Sequence, residues 1–510
     1  MKILLAALYL ALPTYGAAIH SRSAVNKTTC HGVDYEYEEL AGYGYIVPDA
    51  VDKFGDTLGG LGSSIHLDQA AWKKLDNGSY TGVLWSLPDR GWNGRGTLNY
   101  NPRVHKFSIH FTPHPAATVD NPSPPNLFFQ YQDTILFLGP DGAPCTGIDA
   151  DASGYLSVAG FPDMPVSTYT GDGFGGDGPG GKRITIDAEG LYVNEDSSFW
   201  VSDEFGPYVY LFGADGKMLS AIRPPDAILP MRNGDISFSS DDPPIYVNNG
   251  EGDDVDPIEP ESGRINNHGF EGLSVSDDGK SLWALLQIAG AQEGGLSAKT
   301  GRNARLLKYD VSNRLAPVFA GEWVVPLPLY TDPETGSSVA AAMTEIIALD
   351  NSQFLILALS PGMGRSENNT LSVYRHADVF DITKATDIKG DYDCTTCSIA
   401  DATSGELKHG IAPATYCSFL DFNVNAQLNR FGLHNGGAPD RSLLNYKWES
   451  LGMVPVDPDT PTGEFYLFSL SDNDFITQNG YMNGGKLPYA DSSGYDLDSQ
   501  ALIFKMSISS

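Results

Sequence analysis

Carboxylates stand at the ends of apolar, strand-like runs at several places in the chain. In the stretch IDAEGLYVNEDSSFWVSDEF, Glu189 opens one run and Asp203 and Glu204 close the next, while Asp472 and Asp474 follow a similar run near the C-terminus. Burying ionised carboxylates is costly unless they are paired or bound to a cation. Such oxygen ligands suit Ca²⁺, which accepts about six to eight of them in flexible geometry. The pattern therefore predicts calcium as a cofactor, provided that the fold brings these acids together.

A glutamate recurs at the start of four strand pairs, each made of a short strand, a polar turn and a second apolar strand. These glutamates are Glu189, Glu271, Glu345 and Glu449. A fifth, weaker unit has Gly62 and Ser63 where the glutamate would stand. The intervals exceed the roughly 40–50 residues of one propeller blade, so insertions must lie between the units. Because the blades of a propeller place equivalent positions around one axis, the repeat predicts an all-β propeller of about five to seven blades with long inserted loops.

Both steps of this reasoning have an alternative. An array of β-sandwiches would also explain many short strands separated by glycine and proline turns. Each repeated glutamate could instead accept hydrogen bonds from backbone N–H groups of the neighbouring blade, which would give it a purely structural use.

Arginines accompany the acids, and a guanidinium can bind phosphate or carboxylate groups through two parallel hydrogen bonds. The residues expected to act directly on a substrate are Asp89, Arg90, Glu271 and Arg365. The expected metal ligands are Glu189, Asp203, Glu204, Glu271, Glu345, Glu449, Asp472 and Asp474. The sequence has no GxSxG nucleophile motif, no HExxH metal motif and no GxxxxGK[ST] phosphate loop, so it gives no sign of the chemistries that use them.

The overall charge limits the partners. The formal net charge is −32, with 64 acidic residues against 32 basic ones, which argues against binding nucleic acid or an anionic membrane. An anionic substrate is still compatible if metal ions reverse the sign of the local field. We therefore expect a small anionic ester as the substrate, no nucleic-acid or membrane partner, and a monomeric protein.

The N-terminus predicts export from the cell. A basic start, a short apolar run and small residues indicate a signal peptide over residues 1–18, and residues 19–510 are expected to form a single domain. Three sequons mark expected glycosylation sites in surface loops at Asn26, Asn77 and Asn368. The cysteines are Cys30, Cys145, Cys394, Cys397 and Cys417, which allow two disulfides and leave one thiol. Their pairing stays open at this point.

Five motifs together resemble a known family, the secreted phytase-like proteins that carry an "esterase-like activity of phytase" domain. They are LPDRG (87–91), DAEGL (187–191), FWVSDEFGPY (199–208), GFEGLSVSDDGKSLW (269–283) and SDNDF (471–475). The resemblance implies a β-propeller that hydrolyses phosphate or other esters. By position it implies functional roles for Asp89, Glu189, Asp203, Glu204, Glu271, Asp472 and Asp474.

The leading hypothesis is thus a secreted, calcium-dependent hydrolase of phosphate esters, in which Arg90 and Arg365 clamp the phosphate. A glycoside hydrolase that uses two axial carboxylates is one alternative. The other is a non-catalytic propeller that binds an extracellular ligand and uses the acids for rigidity.

Overall fold

A computed structural model describes residues 23–92, 96–247 and 255–509 of the chain. Five sheets surround one axis, so the prediction of an all-β propeller with five to seven blades is confirmed at five blades. The signal peptide predicted for residues 1–18 lies outside the described residues. No helix in the described ranges has the length and apolar character needed to cross a membrane.

The chain enters through two strands of the last blade and then builds the other four in order. The entering strands are β1 (Asn26–Cys30) and β2 (Val33–Ile46). Blade 1 contains β3 (Ser64–Leu67), β4 (Lys73–Lys74), β5 (Tyr80–Leu87), β6 (Arg103–Phe111) and β7 (Leu127–Leu136). A hairpin of β8 (Val166–Tyr169) and β9 (Gly181–Ile184) follows. Blade 2 contains β10 (Ala188–Val193), β11 (Phe199–Asp203), β12 (Val209–Phe212) and β13 (Met218–Ile222).

Blades 3 and 4 have the same four-stranded antiparallel order. A hairpin of β14 (Met231–Arg232) and β15 (Asp235–Ile236) precedes blade 3. Blade 3 contains β16 (Phe270–Val275), β17 (Ser281–Leu286), β18 (Asn303–Asp310) and β19 (Val318–Pro326). After the hairpin of β20 (Leu329–Thr331) and β21 (Ser338–Ala340), blade 4 contains β22 (Ala342–Ala348), β23 (Gln353–Leu359), β24 (Arg375–Asp381) and β25 (Thr415–Asp421).

Blade 5 closes the ring by joining both ends of the described chain. It contains β26 (Lys447–Trp448), β27 (Gly452–Pro455), β28 (Glu464–Asp472) and β31 (Ser499–Ser509), to which β2 and β1 add on the outside. The hairpin of β29 (Gly480–Met482) and β30 (Leu487–Tyr489) lies between β28 and β31. The short helices are α1 (Asn425–Leu428) and the 3₁₀ turns Ala291–Glu293 and Asn429–Phe431.

Apolar side chains fill the spaces between neighbouring blades. The second strands of blades 2 and 4 are buried along their whole length, which explains the apolar runs FWV in β11 and FLILAL in β23. Between blades 4 and 5, for example, Leu357, Val379, Trp448 and Phe504 belong to one buried cluster. This packing holds the five inner strands around the axis.

The inner strands carry a bulge at or beside the repeated glutamates. In β10 the register shifts at Glu189, in β16 the extra residue is Glu271, and in β22 it is Thr344, directly before Glu345. In blade 5 the inner strand is interrupted between β26 and β27, where Glu449 lies. A β-bulge re-aims a side chain relative to the regular pleat. The repeated bulge therefore explains how the glutamates leave the packed sheet faces for the axis.

The first unit departs from the glutamate pattern for a steric reason. A Cβ added at Gly62 would lie 2.1 Å from the carbonyl carbon of Ser471 and 2.2 Å from the backbone nitrogen of Asp472. Blade 1 thus needs glycine where the other blades have glutamate, because the backbone of blade 5 passes directly against it.

Two disulfides form, as the cysteine count allows. Cys30 pairs with Cys417, which links β1 of blade 5 to β25 of blade 4, and Cys394 pairs with Cys397 within one loop. Cys145 is left as a buried thiol.

The sequons differ in their structural setting. Asn77 and Asn368 lie in exposed turns, as expected. The expectation of a loop is wrong for Asn26, which lies in β1 opposite Tyr37 because β1 and β2 form a tight hairpin. The Asn26 side chain donates a hydrogen bond of 2.5 Å to the carbonyl of Phe419.

Candidate functional site

Eight carboxylates converge where the inner strands begin and the second strands end, at one mouth of the propeller channel. We call this set the axial acid cluster: Asp89, Asp187, Glu189, Glu204, Glu271, Glu449, Asp472 and Asp474. All are buried except Asp474, whose side chain is 19% exposed. Two subsets bring carboxylate oxygens within 4.8 Å of one another, so each could hold a metal ion.

The first acid triad consists of Asp187, Glu189 and Glu204. Arg90 Nη1 lies 2.5 Å from Asp187 Oδ2, whereas Asp187 Oδ1 is buried and has no hydrogen-bond partner in the described ranges. Glu204 Oε1 is likewise buried without a partner in the described part of the chain. The triad therefore has more oxygen acceptors than the protein itself satisfies.

Asp203 fixes the backbone segments that carry this triad. Its carboxylate accepts hydrogen bonds from the backbone N–H groups of Asp187 (2.9 Å), Phe205 (3.0 Å) and Gly206 (3.0 Å), and from the Tyr210 hydroxyl (3.0 Å). These bonds fasten the start of the inner strand to the turn after β11. Asp203 was expected to be a metal ligand, but its oxygens are already taken up in holding Asp187 and Glu204 side by side.

The second acid triad consists of Asp89, Asp472 and Asp474, and it already contains a cation. Lys447 Nζ lies 2.9 Å from Asp472 Oδ2, 3.0 Å from Asp474 Oδ1 and 3.7 Å from Asp89 Oδ2. It also lies 3.3 Å from Glu449 Oε2. The ammonium group thus neutralises part of this triad and connects it to the glutamate of the same blade.

Glu271 lies between these groups. Gln287 donates a hydrogen bond to Glu271 Oε1, while Glu271 Oε2 is buried without a partner among the described residues. Its largest electrostatic interaction is with Glu204, followed by Glu449. One oxygen of Glu271 is therefore fixed by an amide and the other faces the remaining acids.

Burial is the main cause of raised pKa values in the cluster. It raises the pKa of Glu204 to about 8, and the pKa values of Glu449 and Asp474 to about 7. The pKa values of Glu189 and Glu271 are also raised well above the ordinary range, by burial first and then by neighbouring carboxylates. In the absence of a cation, the cluster would therefore hold protons at neutral pH.

Arg90 is the cation beside the first triad. Besides Asp187, it contacts Asn267 Oδ1 through Nη1, and its Nη2 lies 3.6 Å from Asp242 Oδ2. Its side chain is 12% exposed. Two acids and an amide hold the guanidinium at the rim, where it offsets part of the negative charge.

Two residues expected in the site lie elsewhere. Glu345 accepts hydrogen bonds from Ser64 Oγ (2.6 Å) and from the backbone N–H groups of Leu273 (3.2 Å) and Ile346 (2.9 Å), so it ties three blades together. This arrangement matches the structural alternative for the repeated glutamates. Arg365 lies 3.9 Å from Asp498 and donates a hydrogen bond of 2.9 Å to the carbonyl of Asp496, and neither residue belongs to the axial acid cluster.

Sequence reasoning missed Asp187, Lys447 and Gln287. Asp187 and Lys447 each stand two residues before a repeated glutamate, so the repeat itself contained the signal. Gln287 follows the second strand of blade 3, at the place where blade 2 has Asp203 and Glu204, but nothing marks a lone glutamine as part of a site.

A separate cavity of about 620 Å³ opens at the other end of the channel. Its walls include Leu191, Leu273, Glu345 and Ile346. None of the eight carboxylates of the axial acid cluster lines this cavity, so the cavity and the cluster are separate sites.

The residues of the first triad fit a divalent cation. Three acids offer oxygens within 4.8 Å of one another, and Asp187, Glu204 and the adjacent Glu271 each have a buried oxygen that no described residue satisfies. Hard oxygen donors of this kind suit Ca²⁺ or Mg²⁺ rather than softer metals. The arrangement is that of a propeller with an acidic mouth whose buried oxygens could hold a divalent cation.

Comparison with known proteins identifies the family. The chain matches the Phytase-like family, described as esterase-like activity of phytase, over residues 72–416. It is 50% identical over 467 residues to a protein of Arthroderma benhamiae described as an uncharacterized secreted protein, and the match covers 89% of this chain and 90% of that relative. The chain belongs to the Phytase-like family, and it is a secreted protein.

Similar solved structures are distant. The Malassezia sympodialis allergen Mala s 1 aligns with a TM-score of 0.30 and 10% identity, covering 96% of this chain and 93% of the allergen. The PQQ-bound aldose sugar dehydrogenase of Streptomyces coelicolor aligns with a TM-score of 0.25 and 10% identity, covering 92% of this chain and 100% of the dehydrogenase. Scores this low carry no argument about function.

Proposed function

We propose that this secreted phytase-like protein is a calcium-dependent hydrolase of small anionic phosphate esters, acting at the axial acid cluster. The observation that supports the proposal is the set of buried carboxylate oxygens that have no hydrogen-bond partner among the described residues, namely Asp187 Oδ1, Glu204 Oε1 and Glu271 Oε2. Such oxygens require either a proton or a cation. A cation that takes many carboxylate oxygens, as Ca²⁺ does, is the natural occupant.

The cation would also offset the negative charge of the channel mouth. Eight carboxylates face only partial compensation from Lys447 and Arg90, and they would repel a phosphate ester. Asp187, Glu189 and Glu204 would hold the cation. When bound, it supplies positive charge for the phosphate and lowers the pKa of a water that it holds.

The chain's own residues would contribute orientation and proton transfer. Arg90 keeps Asp187 in place and brings positive charge to the rim. Gln287 fixes Glu271 through one oxygen, so the other oxygen is placed to accept a proton from water. Arg365 has no part in this proposal because it pairs toward Asp498.

The test measures inorganic phosphate released from inositol hexakisphosphate and from a simple phosphomonoester, in calcium and in excess EGTA. We expect calcium-dependent release that falls at least about a hundredfold in Glu204→Gln, as for the loss of an essential electrostatic group. Glu345→Gln is the matched control, because Glu345 is an equally buried inner-strand glutamate whose oxygens are satisfied by Ser64 and backbone N–H groups.

Two results would contradict the proposal. Equal release in EGTA would remove the cation requirement. Calcium binding without release of phosphate from either substrate would favour a non-catalytic extracellular binding propeller.

A further inference from the structure

Blades 2 and 5 carry opposite charges at one position of the repeat. Two residues before the axial glutamate, blade 2 has Asp187 and blade 5 has Lys447. Lys447 lies on β26 and pairs in register with Asp472 on β28, so its side chain starts beside a carboxylate. At this position one blade brings an acid to the axis and another brings a base.

The ammonium group of Lys447 forms ion pairs with the acids of the second triad. Three carboxylate oxygens, from Asp472, Asp474 and Glu449, lie within 3.3 Å of its ammonium nitrogen. An ammonium group has three N–H donors and no acceptor. The lysine side chain is 23% exposed, so most of it is withdrawn from solvent together with these acids.

The second triad is also better satisfied by the protein than the first. Asp472 Oδ1 accepts the backbone N–H of Asp474 at 2.6 Å, and Asp472 Oδ2 accepts the Ser63 hydroxyl at 3.2 Å. Asp89 Oδ1 accepts the backbone N–H of Gly91 at 3.0 Å. The buried oxygens without partners in this part of the described chain lie instead on Asp187, Glu204 and Glu271, since the Glu449 oxygen faces Lys447 at 3.3 Å.

We infer that Lys447 is a fixed counter-ion that closes the second acid triad to divalent cations, so that the chain binds one such cation, at the first acid triad. A divalent cation at the second triad would lie within a few ångström of the ammonium and be repelled by it. The inference rests on the proposed function, which supplies the first cation. It adds that the site works with one divalent cation and one lysine rather than with two metal ions.

Removing the lysine charge should therefore create a second cation site. Without Lys447, the facing oxygens of Asp472, Asp474 and Asp89 lose their common cation while remaining within 4.8 Å of one another. The matched replacements are Lys447→Met, which keeps an unbranched side chain without charge, and Lys447→Arg, which keeps the charge.

The experiment counts bound calcium in chelator-treated full-length mature protein by calorimetric titration, with metal analysis after dialysis as a second measure. We expect one ion per chain for the wild type and for Lys447→Arg, and two for Lys447→Met. Thermal melting of each variant in EGTA would establish that it is folded before titration.

A second pair of variants tests the same inference with the lysine in place. Asp474→Asn should leave calcium affinity within about threefold of the wild type, whereas Glu204→Gln should weaken it by roughly tenfold or more. These variants keep the inference testable even if Lys447→Met does not fold.

The outcomes separate the two hypotheses. Two ions bound by the wild type, one ion bound by folded Lys447→Met, or a tenfold loss in Asp474→Asn would overturn the lysine inference and leave the proposed hydrolase intact. No ion bound by the wild type would overturn the calcium requirement of the proposed function and the lysine inference with it. Stoichiometric calcium binding without phosphate release would overturn the hydrolase alone.

Discussion

The raised pKa values of the axial acid cluster predict that the calcium-free protein loses stability as the pH rises from 6.5 to 8. Burial raises the pKa of Glu204 from 4.5 to about 8 in the folded protein. In the unfolded chain this side chain is ionised throughout that window, so unfolding releases its proton. The stability that protonated Glu204 contributes is complete below about pH 4.5 and is lost as the pH passes through about 8.

The size of the expected stability loss follows from the one proton that each group releases on unfolding. Each proton released on unfolding lowers the free energy of unfolding by about 1.4 kcal/mol per pH unit. Glu204 alone would therefore cost about 2 kcal/mol between pH 6.5 and 8, and Glu449 and Asp474, with pKa values of about 7, would add to the early part of this loss. The window starts at 6.5 because burial lowers the pKa values of His66, to about 4, and of His268, and their effect below that pH has the opposite sign.

The assay is urea unfolding in EGTA at several pH values, repeated with excess calcium. Stability should fall with pH in EGTA, whereas calcium should reduce or reverse the fall, since the cation replaces the protons. Glu204→Gln is the matched variant, and its slope in EGTA should be shallower by about one proton. A stability that is constant or rises between pH 6.5 and 8 in EGTA, or the same slope in both proteins, would refute this reasoning.

Two further predictions concern the closure of the ring. Replacing Cys30 and Cys417 by alanine should lower the free energy of unfolding by about 2–5 kcal/mol, measured by urea unfolding, because their disulfide closes a loop with a sequence separation of 387 residues; an unchanged value would contradict this. Gly62→Ala should cost about 1–3 kcal/mol because its Cβ would meet the backbone of Ser471, whereas Gly452→Ala, which meets only movable side-chain atoms, should cost less. Equal melting temperatures for the two alanine variants would show that the approach of blades 1 and 5 is not rigid.

The repeated units made the architecture predictable from sequence. Glutamate at the start of a short strand recurs in blades 2 to 5, and each glutamate lies at or beside a bulge or break of the inner strand. The first unit was recognisable in spite of its glycine. The contribution of β1 and β2 to blade 5 was not predicted, because pairing between strands so distant in sequence leaves no local pattern.

Which acids belong to the site was harder to predict than where the site lies. Glu189, Asp203 and Glu345 look alike as acids at strand ends, but they differ in what the surrounding backbone offers them. Asp203 and Glu345 face N–H groups that satisfy them, whereas Glu189 faces other carboxylates. Composition and spacing do not encode this difference.

Blade 5 takes strands from both ends of the described chain, so it can form only late in synthesis. Asp187, Glu189, Glu204 and Glu271 are synthesised early, but Lys447, Asp472 and Asp474 follow late, and β31 can insert between β28 and β2 only when the last residues of the described chain are available. Until then the growing chain would carry an open stack of blades, in which the acids of blades 2 and 3 have not met Lys447 and the acids of blade 5. The full set of eight carboxylates, with Lys447 among them, is thus assembled only when the ring closes.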